Sequence, residues 1–274
     1  MSAFVALAGV GISFGAMSAG YSIHLTRIVE QRSIATRCIH DRSLVLTYDD
    51  GPGAELSQKL LMFLALHGSK ATFLPLGMRV PGNEAILDRM ASDGHEIGCH
   101  GQDHLNGWTN WPWRVSADVR RGYESTARWT APDAPFRPPY GKLSWPAWWE
   151  VRRRGARLAW WTIDSGDTWA DLPTPQSVAD RVARAGGGVV LMHDFDRGVE
   201  RMEFVLRTTE LLLRTATREG LRVCRYSDLF QQQGHATSSS ATSNPPSVAV
   251  SFRAAAGQDR ADAQLVSLPR AIDE

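Results

Sequence analysis

The chain has 274 residues, a formal charge of +1, three cysteines and ten tryptophans. That length accommodates one α/β domain of roughly 200–250 residues with ends that do not belong to it, and a near-neutral charge without runs of one sign argues against a nucleic-acid partner. Cys38, Cys99 and Cys224 are too scattered for a zinc knuckle or a disulfide framework, which leaves open a single bridge between Cys38 and Cys224.

Residues 1–23 contain no charged side chain and consist largely of Ala, Gly, Val, Phe, Leu, Ile and Ser. Such a stretch reads as a signal peptide or a membrane anchor, which places the protein outside the cytoplasm or on the membrane of the cell envelope. A cytoplasmic N-terminal helix is the alternative. Ser43 to Tyr48 is then a strand, and Leu56, Leu60, Phe63, Leu64 and His67 recur at helical spacing up to Gly68. The alternation continues with strands at Lys70–Leu74, Gly94–Cys99, near Phe136, Leu158–Ile163, Gly188–Met192 and Leu221–Arg225. Helices are expected between them at Ala85–Ala91, Val115–Trp129, Trp145–Arg153, Pro175–Ala185 and Arg201–Arg218. About seven βα units imply a parallel sheet closed, or nearly closed, into a barrel. Beyond Phe230 the composition turns to Gln, Ser, Thr, Ala and Pro, so residues 234–274 are expected to be a disordered tail, with the folded domain at 35–233.

Chemistry gathers at the ends of the strands. Asp49 and Asp50 close the first strand just before Gly51-Pro52, and alternation along an extended chain predicts that they point different ways and do different jobs. His100 and His104, four apart after the third strand, suit two ligands of one divalent ion, in a loop or irregular turn because Gly101 intervenes. Asp103, between them, is expected to be solvated. In Arg137-Pro138-Pro139-Tyr140-Gly141 two prolines fix the backbone, and the Tyr140 N–H is the next rigid donor, suited to an oxyanion. His193 ends the sixth strand, poised for proton transfer, and Asp164 at the end of the fifth is expected to hold it protonated.

Taken together, Thr47-Tyr48-Asp49-Asp50-Gly51-Pro52, His100 to His104, Arg137 to Gly141, Asp164-Ser165-Gly166-Asp167 and Leu191-Met192-His193 resemble, in order, the five motifs of the polysaccharide deacetylases of the NodB-homology type, carbohydrate esterase family four. The resemblance implies a distorted (β/α) barrel of about seven strands. It also implies a divalent metal, usually zinc with cobalt, nickel or manganese as alternatives, held by Asp50, His100 and His104. Asp49 would then be the general base, Arg137 its orienting partner, the Tyr140 N–H an oxyanion donor, and His193, paired with Asp164, the acid for the leaving amine. Gly101 stands where the family has Ser or Thr, and Thr168 where it has a groove-lining Trp, which comes one place later as Trp169. Trp169, Leu191 and Trp108 are the candidate substrate-binding residues.

Trp108, Trp111 and Trp113 follow the metal motif and form either a sugar-stacking rim or a surface packed on the barrel or on lipid. Trp145, Trp148, Trp149, Trp160 and Trp161 fall at helix and strand positions and are expected in the core. The implied partner is an acetylated glycan such as peptidoglycan or a chitin oligomer, with N- or O-acetyl groups, acted on by a monomer. Competing readings are a deacylase or deformylase of a lipid-linked sugar and a catalytically silent glycan-binding domain.

Overall fold

The computed structural model describes residues 26–231, so the expectations for 1–23 and 234–274 lie outside the described residues. A helix α1 (26–40) leads into strand β1 (Ser43–Asp49), helix α2 (Leu56–Leu66), β2 (Thr72–Leu74), α3 (Glu84–Ser92), β3 (Glu96–Ile97) and α4 (Pro112–Thr126). The order continues with α5 (Trp145–Arg152), β4 (Ile163–Asp164), α6 (Pro175–Ala185), β5 (Gly188–His193), α7 (Val199–Glu219) and β6 (Arg222–Val223). No described helix is long and apolar enough to cross a membrane.

All seven residues of β1 are buried, the polar Ser43, Thr47 and Asp49 together with the apolar Leu44, Val45, Leu46 and Tyr48. Leu44, Leu46 and Tyr48 face one cluster with residues of α2 and α7, and Val45 faces the other, with Cys99, Phe136, Trp160 and Tyr226. The same alternation sends Thr47 and Asp49 to the Val45 side, so a strand held in place by its leucines carries a polar edge into the barrel. Every strand pair is parallel, in the order β3-β2-β1-β5-β4, and β6 also pairs with β1.

The expected barrel is present with six named strands. The strand near Phe136 is reduced to single bridges, to Cys99 on one side and Leu158 on the other, and these close the ring. The reason is proline: Pro135, Pro138 and Pro139 lack N–H groups, so only Phe136 and Arg137 donate there, to Arg157 O and Cys99 O. All three cysteines are buried free thiols. Cys38 and Cys224 do flank neighbouring strands, but the bridge left open by the sequence is not formed.

Candidate active site

Asp49 is the last residue of β1, and the β1–β5 register sets it opposite His193. Its Oδ1 accepts a hydrogen bond from Arg137 Nη1 at 2.7 Å, and the same nitrogen donates to Thr47 Oγ1 at 2.8 Å. Arg137 Nε donates to Ala159 O, and the side chain is fully buried. Removing one member of such a pair leaves an uncompensated charge, at a cost of about 3–5 kcal/mol. Burial pushes the Asp49 carboxyl above the ordinary carboxylate range, against the pull of Arg137 and His193. A fixed base with a raised pKa suits proton abstraction near neutrality.

Asp50 does not follow the alternation. Its φ is +66°, a left-handed conformation that turns its carboxylate back, so that Asp49 Oδ2 and Asp50 Oδ1 lie 3.9 and 3.4 Å from the same His100 Nε2. The expectation of two diverging acids therefore fails where the strand ends. His104 and Tyr140 also have positive φ, +55° and +57°. Of the four such non-glycine residues described, three surround this site, where the fold sustains backbone strain.

Asp50 Oδ1 is 3.3 Å from His104 Nε2, and the three ligand atoms lie within 4.8 Å of one another. The buried Oδ1 has no hydrogen-bond partner among the described residues. Ligands of a tetrahedral zinc, at ~2.0–2.1 Å from the ion, stand about 3.3 Å apart. The donor set and its spacing fit a divalent metal. His100 Nδ1 donates to Arg137 O at 2.8 Å, which leaves Nε2 with its lone pair free to coordinate. Burial drives the His100 pKa down to about 3, so the ring is neutral as a ligand must be.

The histidine loop is fastened from outside. Gly77 N–H and Met78 N–H donate to Gly101 O and Gln102 O, while the buried Asp118 of α4 accepts from Gln102 N–H at 3.1 Å and Asp103 N–H at 2.8 Å. A Cβ on Gly101 would lie 2.5 Å from Asp118 Oδ2, and one on Gly122 would lie 2.5 Å from the Gly101 carbonyl carbon. Gly101 is thus a close-packing position at φ +90° whose anchoring comes from Asp118, not merely a lost hydroxyl. Asp118 and Gly122 were not legible as site residues, although an isolated glycine inside a helical pattern is a packing signal. Asp103 is half-exposed and pairs with Arg121 at 2.6 Å.

His193 is held by Asp167, not by Asp164. Its Nδ1 lies 2.9 Å from Asp167 Oδ1, and its backbone N–H donates to Asp167 Oδ2 at 2.8 Å. Register explains the correction: Asp164 pairs with Leu191, two residues short of His193, and its carboxylate instead accepts from Gly166 N–H. That turn, with Gly166 at φ +79°, carries Asp167 forward. Burial opposes a charge on His193, but the charge and hydrogen bond of Asp167, with Asp49 and Asp50, carry its pKa up to about 9. At neutral pH it holds a proton.

These groups line one cavity of about 660 Å³. Tyr140, Trp161 and Leu191 belong to its wall, with Arg79 and Arg197, whose guanidinium groups both lie over the Phe195 ring. The Tyr140 N–H has no acceptor among the described residues. Asp164 reaches this cavity, but Trp169 and Trp108 are not among its lining residues and Thr168 is. The tryptophan expectation also needs correcting: Trp160 is core, Trp161 faces the cavity, and Trp145 and Trp149 are exposed.

A family model described as polysaccharide deacetylase matches residues 36–159. A peptidoglycan-N-acetylglucosamine deacetylase of Bacillus cereus is 26% identical over 196 residues, covering 70% of this chain and 90% of that protein. A chitooligosaccharide deacetylase of a Bradyrhizobium species is 30% identical over 165 residues, covering 58% of this chain and 74% of its own length. Among solved structures, a peptidoglycan N-acetylglucosamine deacetylase superposes with a TM-score of 0.63 at 24% identity, covering 70% of this chain and 89% of that one. A family-four pseudoenzyme from Bacillus anthracis superposes at 0.59 and 24%, with 70% and 66% covered. At such identities the structural likeness speaks for the fold, while the sequence relatives and the ordered motifs speak for descent. The chain belongs to the polysaccharide deacetylase family.

Proposed function

We propose that the chain is a zinc-dependent deacetylase that hydrolyses N-acetyl groups of N-acetylhexosamine-containing glycans, such as peptidoglycan or chitin oligomers, at the cell envelope. The observation that carries this reading is the meeting, around one carboxylate, of two opposite kinds of histidine. His100 Nε2 and His104 Nε2 stand 3.4 and 3.3 Å from Asp50 Oδ1, and His193 Nε2 stands 4.0 Å from Asp50 Oδ2. A pseudoenzyme shares the fold, so the fold alone does not argue for turnover. A full acid–base set around the metal ligands does, since binding a sugar requires neither a buried base nor a protonated acid.

Asp50, His100 and His104 would hold the metal, which when bound supplies a Lewis acid that polarises the acetyl carbonyl and acidifies a water. Asp49 takes the proton from the attacking water, and Arg137 fixes its orientation. The Tyr140 N–H faces the oxygen that becomes negative, and because its backbone is already set it costs no reorganisation during reaction. His193 gives its proton to the leaving amine, with Asp167 holding the ring through Nδ1. Leu191 supplies an apolar wall beside the acetyl methyl. Residues 1–23 serve as export signal or anchor.

The test is acetate release from N-acetylglucosamine oligomers and from peptidoglycan by the full chain, before and after chelation and after zinc is restored. Release that falls on chelation and returns with zinc is expected. A folded, zinc-loaded protein that releases no acetate from either substrate overturns the reading.

A further inference from the structure

Among the described residues, six of the seven most exposed aromatic side chains are indoles, and four of them belong to α4 and α5 or their caps: Trp111 and Trp113 at 64% exposure each and Trp145 at 52% at the helix starts, and Trp149 at 61% one turn into α5. The two helices pack side by side. Their approaches meet as well, since a Cβ on Gly107 would lie 2.5 Å from Lys142 O, and Lys142 Nζ sits 3.8 Å above the Trp108 ring. These contacts bring the approaches to the two helices together, next in sequence to Tyr140 of the cavity wall. Helix starts are normally polar places, with Ser, Thr, Asp or Asn as caps. Here Trp-Pro opens both helices, at Trp111-Pro112 and Trp145-Pro146.

Arg114 and Lys142 stand among the indoles, while of the acids that flank these segments Asp118 and Glu150 are buried and Asp103 is paired with Arg121. The described chain also begins at this rim: Arg27 donates to Gly141 O at 3.0 Å and lies over the Trp160 and Trp161 rings. Three residues before Arg27, the uncharged stretch 1–23 has just ended. Trp111 lies on Trp113 at 4.8 Å and Trp145 on Trp148 at 4.6 Å, each pair nearly parallel, so a stacked pair offers a sugar only its two outer faces. Paired indoles make instead a contiguous patch, apolar with N–H groups at its edge, beside cations. That is the composition favoured at a bilayer interface, and anionic headgroups are attracted to Arg114 and Lys142.

We propose that the α4–α5 tryptophan face is a lipid-docking surface that seats the mouth of the cavity against an anionic membrane. The proposal goes beyond the deacetylase reading, and its test reads partitioning and not turnover, so either can fail alone. The full chain is mixed with phosphatidylcholine–phosphatidylglycerol vesicles whose acyl chains carry bromine, a quencher of indole fluorescence. It is compared with a variant carrying Trp111→Ser, Trp113→Ser, Trp145→Ser and Trp149→Ser, and with a second carrying only Arg114→Gln and Lys142→Gln, which leaves every indole in place. Expected are strong quenching of the native chain, vesicle partitioning at least about tenfold weaker for the tryptophan variant, and a salt-sensitive loss for the charge variant. Vesicle binding with no bromine quenching would mean that residues 1–23 act alone, and overturns the proposal. So does quenching by N-acetylglucosamine oligomers without quenching by lipid, which would assign the face to glycan.

Discussion

His100 and His193 are both largely buried, both fixed through Nδ1, and both within about one side-chain contact of Asp50, yet they hold opposite protonation states. For His100 the fixing partner is the Arg137 carbonyl, a neutral acceptor, and burial takes the pKa to about 3. For His193 the partner is the Asp167 carboxylate, whose charge outweighs a similar burial and takes the pKa up to about 9. The acceptor at Nδ1, together with the charges around each ring, therefore separates a nitrogen able to ligate a cation from one able to donate a proton. The β1–β3 side of the cavity is arranged to keep nitrogens bare, and the β4–β5 side to keep one covered.

The comparison breaks most completely if the bare side is emptied. His100→Ala removes a ligand nitrogen and should abolish both metal retention through dialysis and acetate release; metal analysis on the folded variant checks it, and full metal content would remove His100 from the site. Asp49→Asn should leave the metal in place while kcat falls by ~100- to 10,000-fold, the usual consequence of losing a general base. Its stability should also drop by about 3–5 kcal/mol because Arg137 is left buried without its counter-charge, which an unfolding curve would show. Undiminished turnover would exclude Asp49 as the base.

The proton side is sharpened by pH. Asp49 must be ionised and its pKa is raised by burial, so activity should rise with pH above the ordinary carboxylate range. His193 must be protonated, so activity should fall as pH rises through about 9. Asp167→Asn removes the charge that raises the His193 pKa, so the alkaline limb should move to lower pH, with kcat at its optimum reduced ~10-fold or more. Asp164→Asn should leave that limb where it is. A limb that moves with Asp164 and not with Asp167 would restore the pairing expected from sequence. The smallest effect is expected at Asp118, which touches neither metal nor substrate: Asp118→Ala should weaken zinc binding toward the lower end of ~10–100-fold without shifting either pH limb. Competition with a chelator measures the first and the rate profile the second.

Much of the barrel was legible because its strands are short apolar runs punctuated by Gly and Pro, and because βα alternation leaves few other architectures. The candidate metal-binding residues were legible because they sit close together in motifs, Asp50 beside a Gly-Pro stop and the histidines four apart. Two kinds of information were not. The partner of His193 depends on strand register, which sets Asp164 against Leu191, and on the turn at Gly166 that advances Asp167; both aspartates look alike in the string Asp164-Ser165-Gly166-Asp167. The convergence of Asp49 and Asp50 depends on one positive φ, which a period of two cannot express.

The tryptophans divide along the same line. Their number and their place after the metal motif are properties of the chain, but helix position predicted burial for Trp145 and Trp149, and the way α5 lies against α4 turned both outward. Element order, the residue types at each strand end and the local motifs rest on periodicity and short-range backbone chemistry, and are therefore readable along the chain. Which carboxylate meets which histidine, which glycine lets α4 reach the histidine loop and which indoles face solvent emerge from three-dimensional packing alone. Those outcomes are set by register, crossing geometry and burial, and each of them joins residues far apart in the chain.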